Sequence, residues 1–572
     1  MDRKIESRRA FLAKSILASG GVLLNTQLMA SNSYENTLMV NADGSFGYHF
    51  LHGVASFDPI SSAVMIWTRF TPTEALVGQS ISVRYEVSKS NSFNQLVAEG
   101  TAVASANHDY TVVVDVNGLE PNSKLYYRFG YENSKSVIGE TITLPASDEP
   151  LNELNVAVCS CSNYPTGYFN VYDAIAKSEA DVVLHLGDYI YEYGGMGSYG
   201  DNPTMARPHD PSKEILTLEE YRKRYRQYRT DESLQLAHQK KPFIVVWDDH
   251  EVANDAFKDG AENHQQNEGS FEERKLLAIK VHDEYLPVRT SRVGEIYRNF
   301  EFGSLVNLVM LDTRIIGRDR QISLESFFTS EGFNNAGFSA AMADPRRKLL
   351  GDTQLSWATE ILSTSSSTWQ VLGQQILMGK MFFPAELLIA NANAGRGLAS
   401  KEAALSLQAE LTQLKVRDLQ GDPTLSESDL KRIRTVIPYN LDAWDGYYNE
   451  RELLYEALKG KKTVVFAGDT HNAWHNELRD MNGEKIGEEF ATPSVTSPGL
   501  ESYLGLDPKS APVLEKSWKI LVDELQYLDS SRRGYLLTKF TKDSVTTSYR
   551  FVDTIENVDY SISEFKSLSY SG

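Results

Sequence analysis

Hydrophobic positions keep two different rhythms along this chain, and the change comes after Leu151. From about Asn41 to Pro145, short alternating or β-branched runs such as Ile81 to Ser88 and Tyr110 to Val116 are separated by Gly, Asn, Pro and Ser turns. Short strands between turn clusters predict a small antiparallel sandwich. Beyond Leu151, compact apolar runs alternate with segments of helical period. Asn155 to Cys159, Asp181 to Leu186, Phe243 to Trp247, Leu305 to Leu311 and Thr463 to Ala467 are the predicted strands. Thr217 to Arg229 is a predicted helix, opened by the capping-box spacing of Thr217 and Glu220. Strands alternating with helices predict a layered α/β domain. Asn391 to Arg434 is polar and helix-prone without a strand, and is expected to be an insertion at the sheet's edge.

The amino terminus carries a third pattern. Residues 7–14 read S-R-R-A-F-L-A-K, an apolar stretch runs from Ile16 to Leu24, and a small-residue exit lies near Ala30. The apolar run is about ten residues, half of the roughly twenty a membrane span needs. It resembles a Tat signal peptide, with Arg8 and Arg9 as the twin pair and Leu28 where a small residue is usual. That resemblance implies the Tat export machinery as a partner, a periplasmic or secreted destination, and export of an already folded chain that often carries a cofactor. The expected division is a signal over 1–30, a β-sandwich over 31–148 and a large α/β domain over 149–572.

Charge and cysteine usage narrow the chemistry. The 572 residues include 77 Asp and Glu against 57 Lys and Arg, a formal net charge of -20. Removing residues 1–30, with five basic and two acidic side chains, takes it to -23. This balance argues against affinity built on neutralising a nucleic-acid backbone or an anionic membrane, and a monomer with no such stable partner is expected. An anionic substrate then needs local positive charge, for which a metal is the direct source. The two cysteines, Cys159 and Cys161, cannot build a disulfide framework and stand too close for an unstrained disulfide. A free thiol in an exported protein is an oxidation liability unless something occupies it.

Polar residues gather just after the apolar strands. Cys161 follows the first strand, Gly187, Asp188 and Tyr191 the second, Asp248, Asp249, His250 and Glu251 the third, and Gly468, Asp469 and His471 the last. In open α/β sheets the site lies outside the carboxyl ends of the strands, so these clusters can converge in one crevice. Carboxylate, imidazole, phenol and thiol are all metal ligands. Any one such pair is ordinarily a loop hydrogen bond or a cap; four in the same relative position point to a metal centre.

The order Cys161, GDxxY at Asp188 and Tyr191, DDHE at Asp248 to Glu251, and GDxH at Asp469 and His471 resembles the PhoD-like alkaline phosphatase and phosphodiesterase family. More distantly it resembles purple acid phosphatases and other calcineurin-like metallophosphoesterases. The likeness extends to G-V-A-S-F-D-P at Gly53 to Pro59, W-T-R at Trp67 to Arg69, H-L-G-D-Y-I-Y-E-Y-G at His185 to Gly194, L-D-T-R at Leu311 to Arg314, G-Q-Q at Gly373 to Gln375 and D-A-W-D-G-Y at Asp442 to Tyr447. Phe57 departs from the usual Gly of the S-G-D-P turn. The resemblance implies a calcineurin-like layered domain behind a fibronectin- or immunoglobulin-like sandwich. The sandwich resemblance rests on Gly118 to Phe129, where Leu125 replaces the usual Tyr. It further implies that Cys161, Asp188, Tyr191 and His471 hold Fe(III), with Asp188 shared with a second metal. Asp249 stands where relatives have the Asn of GNHE, and Asp469 where many have the first His of GHxH. Hard carboxylate oxygens favour calcium over zinc, so one or two Ca²⁺ ions are expected, in agreement with the family.

The expected activity is exported, metal-dependent hydrolysis of phosphomonoesters, phosphodiesters or both, with a metal-bound hydroxide attacking phosphorus in line. His250 is the candidate for stabilising the transition state or protonating the leaving group. Arg314 is either a phosphate contact or an ordinary salt bridge. Two alternatives stand beside this reading: a dedicated phosphodiesterase, nuclease or phospholipase D-like enzyme on extracellular polymers or lipids, and a non-catalytic exported binding protein. Cys159 is expected to pack as a small hydrophobe and His185 as a core histidine; His475 is a candidate supporter of the centre. Tyr168, Phe169 and Tyr172 are expected to pack near the first ligand. The basic run Arg222 to Arg229 is expected to be a solvated helix face paired to the chain's many acids rather than a nucleic-acid surface.

Overall fold

The computed structural model describes residues 49–572 apart from 196, 198, 291, 330, 331 and 508, so the expected signal over 1–30 lies outside the described residues. The amino-terminal strands are β1 (Val54–Ile60), β2 (Ala63–Arg69), β3 (Ile81–Ser88), β4 (Leu96–Ala104), β5 (Thr111–Asn117), β6 (Lys124–Tyr131), β7 (Ser134–Lys135) and β8 (Gly139–Ile142). One layer has the order β4-β3-β6-β7, with β8 on β6, and the other contains β1-β2-β5. Val54, Val64 and Ile66 of one layer meet Val83, Leu125 and Phe129 of the other in a single apolar cluster, which is the predicted sandwich.

The sandwich is continuous with the large domain. β9 (Glu153–Cys159), β10 (Val182–His185) and β11 (Pro242–Val245) pair in parallel, and β1 continues the same sheet by pairing in parallel with β11, Ser56 opposite Pro242. The residues of β2, and nearly all of β1, are buried. Strands covered on both faces read as continuous apolar runs, which suits the middle of a large sheet better than the edge of a small domain.

The remaining strands are β12 (Arg298–Phe302), β13 (Val306–Met310), the hairpin β14 (Phe328–Thr329) and β15 (Gly332–Phe333), β16 (Trp369–Gly373), β17 (Phe382–Pro384), β18 (Val436–Pro438), β19 (Lys462–Ala467), β20 (Ala473–Arg479), β21 (Lys485–Ala491), β22 (Leu525–Asp529), β23 (Arg533–Thr541), β24 (Val545–Val552) and β25 (Ile562–Tyr570). They complete a nine-stranded sheet, β25-β24-β23-β9-β10-β11-β1-β2-β5, and a seven-stranded sheet, β12-β13-β16-β19-β21-β20-β22. Val158 and Leu536 of the first share a core with Leu308, Val371 and Phe466 of the second, where Phe466 and Phe540 meet edge to face. Helices Gly351–Thr364 and Tyr448–Leu458 cover the second sheet through Leu355, Leu362, Leu454 and Leu458. Helices Leu218–Tyr228, Glu232–Lys240 and Phe271–Tyr285 add Tyr221, Leu234 and Ala278 to the core of the first. Helices outside two facing sheets make the layered α/β fold.

Leu218–Tyr228 begins at the predicted capping box of Thr217 and Glu220. Its basic run corrects the expectation of a solvated face: Arg222, Arg224 and Arg229 are buried. Arg222 pairs with Glu284 at 2.6 Å and donates to the Asn107 carbonyl at 2.7 Å, while Arg226 pairs with Asp109 at 2.8 Å. Arg222 and Arg226 thereby fasten the sandwich to the large domain. Between β17 and β18, helices Ala385–Gly395, Lys401–Leu419 and Glu427–Arg434 turn Leu388, Leu411, Leu414 and Ile433 toward Trp474, Leu500 and Trp518. Among the described residues no helix is long and apolar enough to cross a membrane.

Candidate metal centre

The parallel strands of both sheets deliver their polar residues to one seam. Cys161 lies just beyond β9, Asp188 beyond β10, Asp248 to Glu251 beyond β11, Arg314 beyond β13, and Asp469 and His471 beyond β19. Cys161, Asp188, Asp469 and His471 all adopt left-handed backbone, with φ of 63, 55, 59 and 61°. For residues other than Gly this costs on the order of 1–3 kcal/mol each, so surrounding contacts must hold them there. The Cys161 amide donates to the Gly187 carbonyl at 3.1 Å. Glu251 accepts from the amides of Asp188, Tyr189 and Asp248 at 3.0, 2.6 and 2.8 Å, pinning the turn after β10 to the turn after β11. Gly187 is required between them, because a Cβ there would stand 2.4 Å from the Asp248 nitrogen.

Three groups of donor atoms result, each with all its atoms within 4.8 Å of one another: Cys161, Asp188 and His471; Asp188, Asp249 and His250; and Asp248, Asp249 and Asp469. Tyr191 joins the first, its hydroxyl donating to Asp188 Oδ2 at 2.9 Å and lying 3.2 Å from His471 Nε2. Ser497 donates to the same phenol oxygen at 2.6 Å. His471 Nδ1 lies 2.7 Å from the Pro498 carbonyl, a contact that places its proton on Nδ1 and turns Nε2 toward Asp188 and Tyr191. Asp188 and Asp249 each belong to two of the groups.

The donors fit metal ions on two grounds. Thiol, phenol, imidazole and carboxylate collect at one end, and carboxylates alone at the other. In addition, Asp248 Oδ2 and Asp249 Oδ1 are buried and accept no hydrogen bond among the described residues. Burying carboxylate oxygens without donors is costly, and a cation between them removes the cost. The crowding registers in acidity: burial, then the neighbouring carboxylates, push Asp248 far above its ordinary value, partly opposed by Arg314. Burial, with Asp188 beside it, pushes Glu251 up to about 8. Burial and Asp188 likewise raise the Cys161 thiol, so its use as a thiolate requires compensating positive charge.

His250 is fully enclosed, with its ring 4.2 Å from that of Tyr191 and Nδ1 2.6 Å from Glu192 Oε2. Burial alone would depress it; Asp188, Glu192 and Asp249 together outweigh burial and hold it up to about 9. Glu192 moves the opposite way, to about 2, because His250 overcomes the upward push of burial. Glu192 Oε1 also accepts from the Asn254 amide at 2.8 Å and Asn263 Nδ2 at 2.7 Å. Sequence reasoning passed over Glu192 as a site residue, although it directly follows Tyr191. It also left Asp248 without a ligand role, although Asp248 stands in the third donor group.

Arg314 makes the salt bridges that were one of its two expected roles. It is wholly buried, with Nε on Asp248, Nη1 on Asp442 at 2.9 Å and Nη2 on Asp469 at 2.7 Å. His475, expected to support the centre, instead meets Glu488 across β20 and β21 at 2.7 Å. His185 is a core residue with Nε2 2.7 Å from the Tyr172 hydroxyl, and Cys159 and Phe169 are buried packing. Tyr168 is only half-buried, beneath the Arg207 guanidinium.

Beside Asp469 and His471 opens a cleft of about 90 Å³, continuous with solvent and walled by Tyr439, Trp474 and Tyr503. An ester could place its phosphoryl group over the donor cluster from this side.

The PhoD-like phosphatase family matches residues 156–549, and the PhoD-like phosphatase N-terminal domain matches residues 38–145. Alkaline phosphatase D of Bacillus subtilis (strain 168) is 32% identical over 548 residues, covering 93% of this chain and 82% of that protein. A solved structure titled "Structure of PhoD" superposes with a TM-score of 0.72 at 30% identity, covering 92% of this chain and 91% of that one. Two matched segments, a relative aligned over most of both sequences and a shared fold together establish that the chain belongs to the PhoD-like phosphatase family and is a phosphoric ester hydrolase.

Proposed function

We propose that the protein is an exported alkaline phosphatase D-like enzyme that hydrolyses phosphomonoesters, phosphodiesters or both with iron and calcium. The observation that carries this reading is the convergence of Cys161, Asp188, Tyr191 and His471 beside the carboxylates of Asp248, Asp249 and Asp469. The first four would hold Fe(III), with the soft thiolate and the phenolate as its distinctive donors. Asp188, Asp248, Asp249 and Asp469 would hold one or two Ca²⁺ ions through hard oxygens. When bound, these ions supply the positive charge that attracts phosphoryl oxygens, lowers the pKa of water and offsets charge in the transition state.

The chain's own residues complete the chemistry. His250, held at Nδ1 by Glu192, presents Nε2 as the proton donor to the departing oxygen. Arg314 holds Asp248, Asp442 and Asp469 in place through its three guanidinium nitrogens. The enclosing walls around His250 and Tyr191 exclude water from the proton path.

A visible ligand-to-metal charge-transfer band, lost in Tyr191→Phe, is the expected signature; a colourless, iron-free and fully active preparation would overturn the ferric assignment. Assays on a phosphomonoester beside a phosphodiester, with calcium present and then chelated, separate the broad phosphatase from a dedicated diesterase. The twin-arginine pattern supports Tat export of a folded monomer to the periplasm or beyond, and replacing Arg8 and Arg9 together by Lys should retain the chain in the cytoplasm. Unimpaired export of that variant would refute the route.

A further inference from the structure

The cleft beside the centre has a chemistry that the phosphoryl group does not use. Leu377, Tyr439, Trp474, Leu500, Tyr503 and Leu504 form its apolar lining. These residues come from four separate stretches of the chain and meet around the helix Leu500–Leu504. Among the described residues no Lys or Arg lines the cleft, whereas Asp255, Asp442 and Asp469 do. Arg314 and Arg318 neutralise Asp442 from behind, but both are buried, so their charge is spent inside the protein. A second anionic group on a substrate would therefore find no cation on these walls.

Two of the lining residues carry donors that point to a ligand. Trp474 and Asn472 are nearly or wholly buried, yet Trp474 Nε1 and Asn472 Nδ2 make no hydrogen bond within the described structure. Buried donors are ordinarily satisfied, so a pair without acceptors beside an open cleft marks where a ligand acceptor would sit. The wall is also contiguous with the metal donors. Tyr503 stacks on Tyr199 with centroids 6.1 Å apart, and the Tyr199 hydroxyl lies 2.8 Å from His471 Nδ1.

We propose that this cleft is the subsite for the alcohol portion of the ester, and that it selects a flat apolar group bearing an uncharged hydrogen-bond acceptor and no negative charge. The proposal rests on the phosphoester reading and sharpens it: esters of apolar or aromatic alcohols are favoured over phosphodiester polymers and multiply phosphorylated compounds. Aromatic walls supply the contact area for such a group, and the absence of a facing cation supplies the discrimination.

The test uses the metal-replete protein and ethyl, benzyl, 4-carbamoylbenzyl and 4-carboxybenzyl phosphate, as monoesters and as their methyl diesters. The two benzyl amide and acid substrates are near-isosteric and differ in charge. Benzyl should exceed ethyl in kcat/KM by roughly tenfold or more, the amide should retain that gain, and the acid should lose about tenfold against the amide. Tyr503→Ala should shrink the benzyl-to-ethyl ratio by about tenfold. Leu504→Lys, at a half-buried position, should reverse the preference between amide and acid. Equal kcat/KM across the series, or a Leu504→Lys variant that gains nothing on the acid, would overturn the subsite. Failure to hydrolyse any of these esters would instead overturn the phosphoester reading, and the subsite with it.

Discussion

Replacing Glu192 by Gln tests the proton donor without removing a side chain. The two oxygens of Glu192 have separate duties: Oε1 accepts from Asn254 and Asn263, and Oε2 faces His250 Nδ1 at 2.6 Å. An amide placed with its oxygen at the first position keeps both Asn contacts. It then turns an NH₂ toward His250, so Nδ1 can only accept and protonated imidazole would set two donors against each other. One of the three charges that sustain the imidazolium, and its hydrogen bond, is also gone. Loss of a general acid or of its orienting carboxylate lowers turnover by about 10²–10⁴-fold, equivalent to about 3–5 kcal/mol at 1.36 kcal/mol per decade. Stopped assays should show this loss on an ester of an alkyl alcohol, with metal content unchanged by elemental analysis. An ester of a strongly acidic phenol should lose far less, since its leaving group departs without a proton. Equal losses on both esters, or undiminished turnover of the alkyl ester, would refute the pairing of Glu192 and His250 as the acid.

Two stability measurements probe buried charge elsewhere. Arg314→Met leaves Asp248, Asp442 and Asp469 without their shared cation, and breaking a buried ion pair in this way costs about 3–5 kcal/mol. Calorimetry should show Tm lower by several degrees, and an unchanged Tm would mean that the carboxylates carry no such cost. Asp109 is pushed up by burial, but Arg69 foremost, then Arg226 and Tyr285, outweigh burial and hold its carboxyl below the usual range. A depressed folded-state value contributes stability above the ordinary carboxylate pKa of about 3.9, and that contribution disappears as pH falls through the folded value. The urea midpoint of the parent should therefore fall more steeply with acid than that of Asp109→Asn below about pH 4; parallel profiles would contradict the pairing.

The sequence displayed most of the donor set because each donor follows an apolar strand, and parallel strands must present their carboxyl ends together. Cys161, Asp188, Asp249, Asp469 and His471 could be found that way, with Tyr191 three residues beyond Asp188. What stayed hidden depends on contacts between distant segments. Arg314 resembles a phosphate ligand until Asp442 and Asp469 are seen folded around it. The basic helix looks solvated until Glu284 and Asp109 arrive from other elements. Tyr439, Trp474 and Tyr503 carry no common motif: they follow β18, lie on β20 and lie on the helix Leu500–Leu504, and only the fold makes them one wall. The fold itself was legible as two rhythms, but strand order was not: nothing in the local pattern of Val54–Ile60 says that it will lie beside Pro242–Val245.

That pairing changes what can be exchanged or trimmed. The strand that opens the sandwich occupies a place between β11 and β2, so removing it would bare the backbone of β11, whose loop carries Asp248, Asp249 and His250. An uncovered strand invites foreign pairing and loosens whatever its end supports. The amino-terminal segment thus behaves as a keystone: a truncated catalytic fragment would inherit the ligands without the frame that aims them. Chimeras between relatives should accordingly be cut within a surface loop of the large domain, where no sheet crosses the junction.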